Sequence, residues 1–363
     1  VAEAAAGGDD RRFMQRALEL ALRGWGQTSP NPLVGAVLVR DGRIVAEGWH
    51  AHFGGPHAEV AAIEAAGREA RGTTLYVTLE PCRHHGKTPP CVDAILAAGV
   101  SRVVAAVRDP TEAGGGAELL AQAGVAVEIG LLAEEARELN APFFHAAVAR
   151  RPWVTLKYAV SLDGCISDRW RTRGWITGEE ARRKAHWLRA GSDAVAVGMG
   201  TVLADDPELT VREAVQPRRP PLRVVFSRYG RLPLTSRLAQ TAHAIPVVVF
   251  AADPDPSYEH ALRDLDVEVV QALSLRAALE NLFDRGVRSL LVEGGALLGG
   301  ALLSEGLVDR LVLLRSPVIL GEGALGAFSH APSARVLDAA RYRVVQRGVL
   351  GSDDLVILAV REL

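Results

Sequence analysis

Pro56-His57-Ala58-Glu59-Val60 and, further along, Leu79-Glu80-Pro81-Cys82 followed by Cys91 are the stretches whose reading decides the first half of this chain. Residues 57–70 are alanine-rich and predict a helix; 74–79 are β-rich and predict a strand that ends at the first cysteine. One imidazole and two thiols form a nitrogen–sulfur donor set that suits tetrahedral zinc. Three protein ligands, His57, Cys82 and Cys91, leave the fourth position to water, whose pKa zinc lowers toward neutrality. Glu59, two residues beyond His57 on one side of a helical turn, is placed to move a proton there without ligating the metal. Eight residues separate the cysteines, more than in the tighter Cys-x-x-Cys spacing, so an inserted loop is expected against the site. Two alternatives stay open on these residues. One is a structural zinc taking its fourth ligand from His84 or His85; the other is a pair of buried, unliganded cysteines.

Outward from this core, strands alternate with helices. Phe13, Ala17, Leu20 and Ala21 recur at helical spacing over 11–24, and a Ser-Pro-Asn-Pro turn follows at 29–32. Residues 35–39 and 44–49 predict a hairpin around Asp41-Gly42. Helices are expected at 91–98 and 117–123, strands at 102–107 and 125–129, giving an α/β domain over 1–148. A boundary falls near Arg150-Arg151-Pro152, and a second α/β domain over 152–363 resumes the alternation. Its expected strands are 153–160, 193–198, 222–226, 246–250, 288–292 and 309–314, and its expected helices 178–190 and 296–305. The Arg- and Pro-rich 211–221 reads as a surface loop.

Composition narrows the classes further. With 363 residues, 48% hydrophobic and 23% charged, the chain has material for two cores. A formal net charge of −2 gives no basic surface for a long nucleic acid. The three cysteines, Cys82, Cys91 and Cys165, are too few for a disulfide framework and fit a reducing cytoplasm. Cys165, in the second domain, reads as an ordinary small side chain. No uncharged apolar run approaches the ~18 residues of a membrane span. Residues 1–10 lack the basic-then-apolar order of a signal peptide and are expected to fray.

The second domain has no Gly-x-Gly-x-x-Gly fingerprint, since Gly198-Met199-Gly200 lacks the third glycine. Instead Glu293-Gly294-Gly295 leads from a strand into the helix at 296. Paired glycines at a helix start let backbone N–H groups approach a phosphate, with a plain strand-to-helix turn as the alternative.

Taken together, His-x-Glu and Pro-Cys…Cys carry the signature of zinc deaminases. Asn31-Pro32-Leu33-Val34-Gly35-Ala36-Val37, the 56–60 run and His-His-Gly-Lys-Thr-Pro-Pro inside 79–91 resemble, more specifically, the bifunctional riboflavin-biosynthesis deaminase/reductase family. The resemblance continues through VTLKYAVSLDG at 154–164, Trp175-Ile176-Thr177-Gly178, 200–207 and the Glu-Gly-Gly segment. It implies a cytidine-deaminase-like three-layer domain followed by a dihydrofolate-reductase-like domain, both α/β. It implies zinc on His57, Cys82 and Cys91, acid/base work by Glu59, and substrate contacts at Asn31, His50 and Lys87. The implied substrate is a small molecule, a diaminopyrimidinone carrying a ribosylamino 5′-phosphate. The implied second step is NADPH-dependent reduction of the ribosyl group to ribityl. Its cofactor positions match Ala159, Trp175, Thr201, Asp205, Gly295, Ala296, Leu297, Leu298, Gly299, Gly300 and Ala301. Its substrate positions match Lys157, Arg189, Leu209, Arg212 and Glu293, with Lys157 suited to polarising the sugar oxygen. The family implies a homo-oligomer; neither a nucleic acid nor a membrane is implied as a partner.

Three departures stand out. The segment after Arg108-Asp109-Pro110 reads Thr-Glu-Ala-Gly-Gly-Gly where the family has a longer Asn-Pro-x-Val-Ala-Gly, which predicts a more flexible rim. Arg173 replaces a serine that meets substrate, and Ser227-Arg228 replaces Asp-Ser. The last two add cationic groups and leave open a second domain that binds without turnover.

Overall fold

The computed structural model describes residues 2–335, 339 and 342–360, with side chains from Asp9 onward. The chain divides into two compact units, with the division between Val148 and Ala149.

The first unit opens with α1 (Ala2–Ala21), whose start at Ala2 replaces the frayed end expected over residues 2–10. Strands β1 (Gly35–Arg40) and β2 (Arg43–Trp49) form the expected hairpin, with Asp41 and Gly42 at φ 50° and 70° as a type I′ turn requires. With β3 (Thr74–Val77), β4 (Arg102–Ala105) and β5 (Ala126–Ile129) they make a five-stranded sheet in the order β2-β1-β3-β4-β5, antiparallel around β1 and parallel from β3 to β5. Helices α2 (Ala58–Ala66), α3 (Cys91–Ala98) and α4 (Gly116–Gln122) lie where the sequence predicts them. Two further short helices, α5 (Ala133–Leu139) and α6 (Ala141–Val148), were not expected. Each buries only one alanine, Ala136 and Ala141, so neither shows a clear apolar stripe in sequence.

The strand register shows that helices cover both faces of this sheet. Gly35 packs against the backbone of Ala17 in α1, while Gly48 packs against Ala58 and Ala62 in α2. Gly48 pairs with Ala36, the neighbour of Gly35, so the two glycines face opposite sides. The unit is therefore a three-layer sandwich. Met14, Leu20, Leu38, Leu75, Ile95 and Leu120 fill its interior, each contributing roughly 1.5–3 kcal/mol by burial.

The second unit carries a nine-stranded sheet in the order β11-β10-β9-β8-β12-β6-β13-β16-β15. Strands β6 (Trp153–Val160), β8 (Ala194–Gly198), β9 (Leu222–Ser227), β10 (Val247–Ala251), β11 (Val267–Gln271), β12 (Ser289–Glu293) and β13 (Arg310–Arg315) run parallel. A hairpin of β15 (Arg343–Leu350) and β16 (Asp353–Ala359) adds an antiparallel edge, and β7 (Cys165–Ser167) pairs with β14 (Leu325–Gly326) as a separate two-stranded piece. The helices are α7 (Glu179–Ala190), α8 (Met199–Asp205), α9 (Arg237–Gln240), α10 (Pro256–Arg263), α11 (Leu275–Asp284) and α12 (Ala296–Ser304). Residues 211–221 carry no helix or strand, as their composition predicts. Buried Arg151 bridges Asp309 with both terminal nitrogens, while the Asp309 carboxylate also accepts the Val154 N–H, fixing where β6 begins. In an open parallel sheet the carboxyl ends of the strands are where ligands gather.

Candidate active sites

Two helix starts and one strand end build the first site. His57 is the N-cap of α2 and Glu59 lies in that helix's first turn; Cys91 is the first residue of α3. Cys82 arrives from the strand side. His57 Nδ1 lies 3.2 Å from Cys91 Sγ and 3.5 Å from Cys82 Sγ, and all three ligand atoms lie within 4.8 Å of one another. A tetrahedral zinc at about 2.1 Å from nitrogen and 2.3 Å from sulfur spaces N and S by about 3.6 Å, so the donors fit that ion. Among the described residues they form the one cluster of this kind. His84 and His85 stand exposed outside it, which removes the fourth ligand a structural zinc needs. Cys165 is buried in the other unit, apart from the cluster.

The electrostatics suit a metal. Hydrogen bonds from Cys91 and His57 outweigh burial and pull the Cys82 thiol below its usual range, while the same shared hydrogen bond and burial push the Cys91 thiol up, so the pair favours one thiolate. The Cys91 backbone N–H donates to the Cys82 sulfur at 3.4 Å, the positive end of α3 facing a negative ligand. Glu59 is 3% exposed, and burial raises its carboxyl above the ordinary range despite the opposing pull of His57.

His57, Glu59 and Cys82 line a cavity of about 510 Å³, together with Asn31, His50 and Lys87. The Pro56 carbonyl accepts from His50 Nδ1 at 2.9 Å, so His50 Nε2 accepts from the Asn31 amide at 3.1 Å. Burial keeps His50 neutral, its pKa lowered. Lys87 rests its Nζ 4.0 Å from the centre of the Phe53 ring at the cavity mouth.

The 109–115 rim, expected to be loose, is instead pinned from below. The buried Glu80 carboxylate accepts the N–H groups of Asp109, Gly115 and Ala117, each at 3.1 Å. Arg83 N–H adds a bond to the Ala113 carbonyl. Gly116 has no alternative here, because a Cβ would stand 1.9 Å from the Pro81 carbonyl oxygen.

The second site occupies the carboxyl ends of the parallel strands, in a cavity of about 1280 Å³. Glu293 ends β12 and pairs across the sheet with Lys157, the fifth residue of β6, and Lys157 Nζ lies 3.2 Å from the Glu293 carboxylate. Arg189 grips both oxygens of that carboxylate and donates to the Thr210 carbonyl at 2.8 Å. Burial alone would raise the Glu293 pKa, but Arg189 and Lys157 outweigh it and hold the carboxyl far below its usual range. Half-exposed Arg212 reaches Glu208 and the Thr210 hydroxyl. Ala159, Trp175, Thr201, Asp205, Leu209, Gly295, Ala296, Leu297, Leu298 and Ala301 line the same cavity. Gly299 and Gly300 do not: they pack α12 against the Tyr158 hydroxyl and the His330 carbonyl.

Residues 8–107 match the cytidine and deoxycytidylate deaminase zinc-binding region, and residues 152–350 match the RibD C-terminal domain. The chain belongs to the RibD family. The riboflavin biosynthesis protein RibD of Escherichia coli is 41% identical over 360 residues, covering 95% of this chain and 97% of its own. That of Aquifex aeolicus is 42% identical over 316 residues, covering 86% of this chain and 88% of its own. The structure of Acinetobacter baumannii RibD matches with a TM-score of 0.86 at 38% identity, covering 98% of this chain and all (100%) of its own. The diaminohydroxyphosphoribosylaminopyrimidine deaminase/5-amino-6-(5-phosphoribosylamino)uracil reductase of Thermotoga maritima gives 0.84 at 40% identity, over 98% and 99% of the two chains. As a RibD, the chain is a bifunctional protein of riboflavin biosynthesis, with a zinc-binding deaminase domain and a reductase domain.

Sequence reasoning about this RibD missed two kinds of residue. His186 lines the reductase cavity and its Nδ1 accepts the Arg212 N–H at 3.1 Å, so the proton sits on Nε2. A lone histidine on a helix gives no such signal. Glu80, visible in Glu-Pro-Cys, reveals its role only once the 109–117 backbone folds over it.

Proposed function

We propose that residues 1–148 deaminate 2,5-diamino-6-ribosylamino-4(3H)-pyrimidinone 5′-phosphate and that residues 152–363 reduce the product's ribosyl group to ribityl, with NADPH as reductant. The observation that carries the first half is the His57–Cys82–Cys91 cluster, of which His57 and Cys82 line one cavity together with buried Glu59. Zinc, when bound by these three side chains, supplies Lewis acidity and lowers the pKa of water at the site. Glu59 takes the proton of the attacking water and passes it to the amine that leaves as ammonia. Its raised pKa favours holding that proton between the two transfers. Asn31, oriented by neutral His50, offers its amide to the pyrimidine edge, and Lys87 offers a cation to the ribose phosphate.

In the reductase, NADPH, when bound, supplies the hydride. Lys157, within β6, sits beside Glu293 at the end of β12 and donates a proton toward the opening sugar oxygen. Arg189 is committed to Glu293 and holds it in place, while half-exposed Arg212, paired with Glu208, exchanges that carboxylate for the 5′-phosphate. The intact Lys157–Glu293–Arg189 cluster supports turnover over a domain that only binds. The protein works on a small molecule, in the cytoplasm, as a homo-oligomer; no helix among the described residues is long and apolar enough to cross a membrane.

The test follows ammonia release and NADPH oxidation separately with this substrate and zinc. Both signals in matched amounts support the full reading. Ammonia without NADPH loss refutes the reductase half, and the absence of both signals refutes the substrate.

A further inference from the structure

The reductase cavity reaches beyond the Lys157–Glu293 cluster. From the Gly294-Gly295 pair after β12 it runs across β8 and β9 to β10, three strand spacings of about 4.8 Å, or about 14 Å in all. Phe226 and Phe250 lie side by side at the far end, ring centres 5.8 Å apart and planes 26° from parallel. Ala252, Leu273 and Ser274 complete that end. This apolar slot is within reach of an adenosine whose phosphates lie at the glycine pair.

The charge at this end is one-sided. Sites that hold an unphosphorylated adenosine ribose use a carboxylate to accept from its 2′-hydroxyl. Among the described residues, the ends of β9, β10 and β11 and the start of α11 bring no carboxylate to the cavity. They bring one cation, Arg228. The Ser227 hydroxyl is spent on the Gly230 N–H at 3.0 Å, closing the turn and leaving the next side chain at the cavity. Arg228 is exposed, its guanidinium 5.3 Å from the Tyr229 ring centre. No carboxylate among the described residues pairs with it. The neighbouring Arg237, by contrast, is taken by Asp206 and Glu208.

We propose that Arg228 binds the 2′-phosphate of the reductase's dinucleotide and so sets this chain's preference for NADPH over NADH. The guanidinium presents paired donors to phosphate oxygens and keeps its charge throughout the working pH range. The unmatched cation that replaces the family's Asp-Ser pattern thereby has a ligand, and the missing carboxylate has a reason. The inference rests on the reductase reading above.

The test is equilibrium binding to the whole protein by calorimetry, with NADPH, NADH, 2′,5′-ADP and 5′-AMP as probes. Losing a hydrogen-bonded charge contact costs about ten- to a hundredfold in affinity. Arg228→Ala is expected to weaken NADPH and 2′,5′-ADP by that factor and to leave NADH and 5′-AMP unchanged. Arg228→Lys is expected to recover part of the loss, since charge returns without the paired donors. Added salt should weaken 2′,5′-ADP binding more steeply in wild type than in Arg228→Ala. If Arg228→Ala binds NADPH as tightly as wild type, or loses NADPH and NADH equally, the assignment is overturned while the reductase reading stands. If wild type binds neither dinucleotide, the reductase reading falls and takes this inference with it.

Discussion

Replacing Glu80 should loosen the deaminase rim in steps that the structure makes countable. Its carboxylate is 1% exposed; Oε1 accepts from Gly115 and Ala117, and Oε2 accepts from Asp109. Hydrogen bonds to a charged group contribute roughly 1.5–3 kcal/mol each, and buried donors left alone are costly. Glu80→Gln keeps the two bonds at Oε1 but sets an amide N–H₂ against the Asp109 N–H, one bond lost and two donors opposed. About 2–3 kcal/mol of destabilisation is expected. Glu80→Ala strands all three donors, and water entering the space offsets part of the cost, leaving about 3–5 kcal/mol. The loss belongs to the first unit alone, so the assay must resolve units. Hydrogen exchange read by mass spectrometry on peptides spanning 107–118 and 288–300 does this, alongside denaturant unfolding. Faster exchange confined to the first peptide, graded Ala over Gln over wild type, is the expected pattern. Equal exchange in wild type and Glu80→Gln, with an unchanged unfolding midpoint, would refute the reasoning.

Glu59→Gln should lower deamination by about 10²–10⁴-fold while zinc content, measured by atomic absorption, stays at wild-type level; ammonia release near the wild-type rate would remove Glu59 from the mechanism. Lys157→Ala should impair NADPH oxidation and leave ammonia release intact, and parallel loss of both would mean global damage. The native pKa of Glu293 lies below its unfolded value of about 4.3, so the unfolded state binds more protons between the two. Its contribution is therefore complete above that value and is lost as pH falls through the depressed native pKa. The stability gap between wild type and Glu293→Gln should thus narrow as pH drops from 5 to 3, within about that window, and a constant gap in pH-dependent unfolding would contradict the assignment.

Much of the first site was legible because its chemistry is local. His57 and Glu59 share one helical turn, and the two cysteines bracket one loop, so spacing alone brought the donors into reach. The hairpin at Asp41-Gly42 and the parallel strands other than the unexpected β11 read equally well, since β-branched runs between turn residues carry their own signal. What stayed hidden depends on contacts between distant segments. The hairpin of β15 and β16 was not expected: β15 is exposed on most positions, and β16 is apolar on both faces apart from its first residues. Gly299 and Gly300 follow the Gly294-Gly295 pair in sequence yet serve helix packing, a distinction that only Tyr158 and the His330 carbonyl reveal. The stiff rim at 109–116 hid behind three glycines, which read as looseness until Gly116 met the Pro81 carbonyl.

Lys157 and Glu293 meet because β6 and β12 align residue against residue from Trp153 and Ser289 onward. A slip of one position would send one of the pair to the opposite face of the sheet and strand a buried charge. Reductase turnover is therefore a check on assembly: a molecule that zips these strands out of step is silent as well as unstable. Insertions within either strand should be ruinous, whereas length changes in the loop at 211–221 leave the alignment untouched. Catalytic competence and correct strand registration are, in this domain, one property measured in two ways.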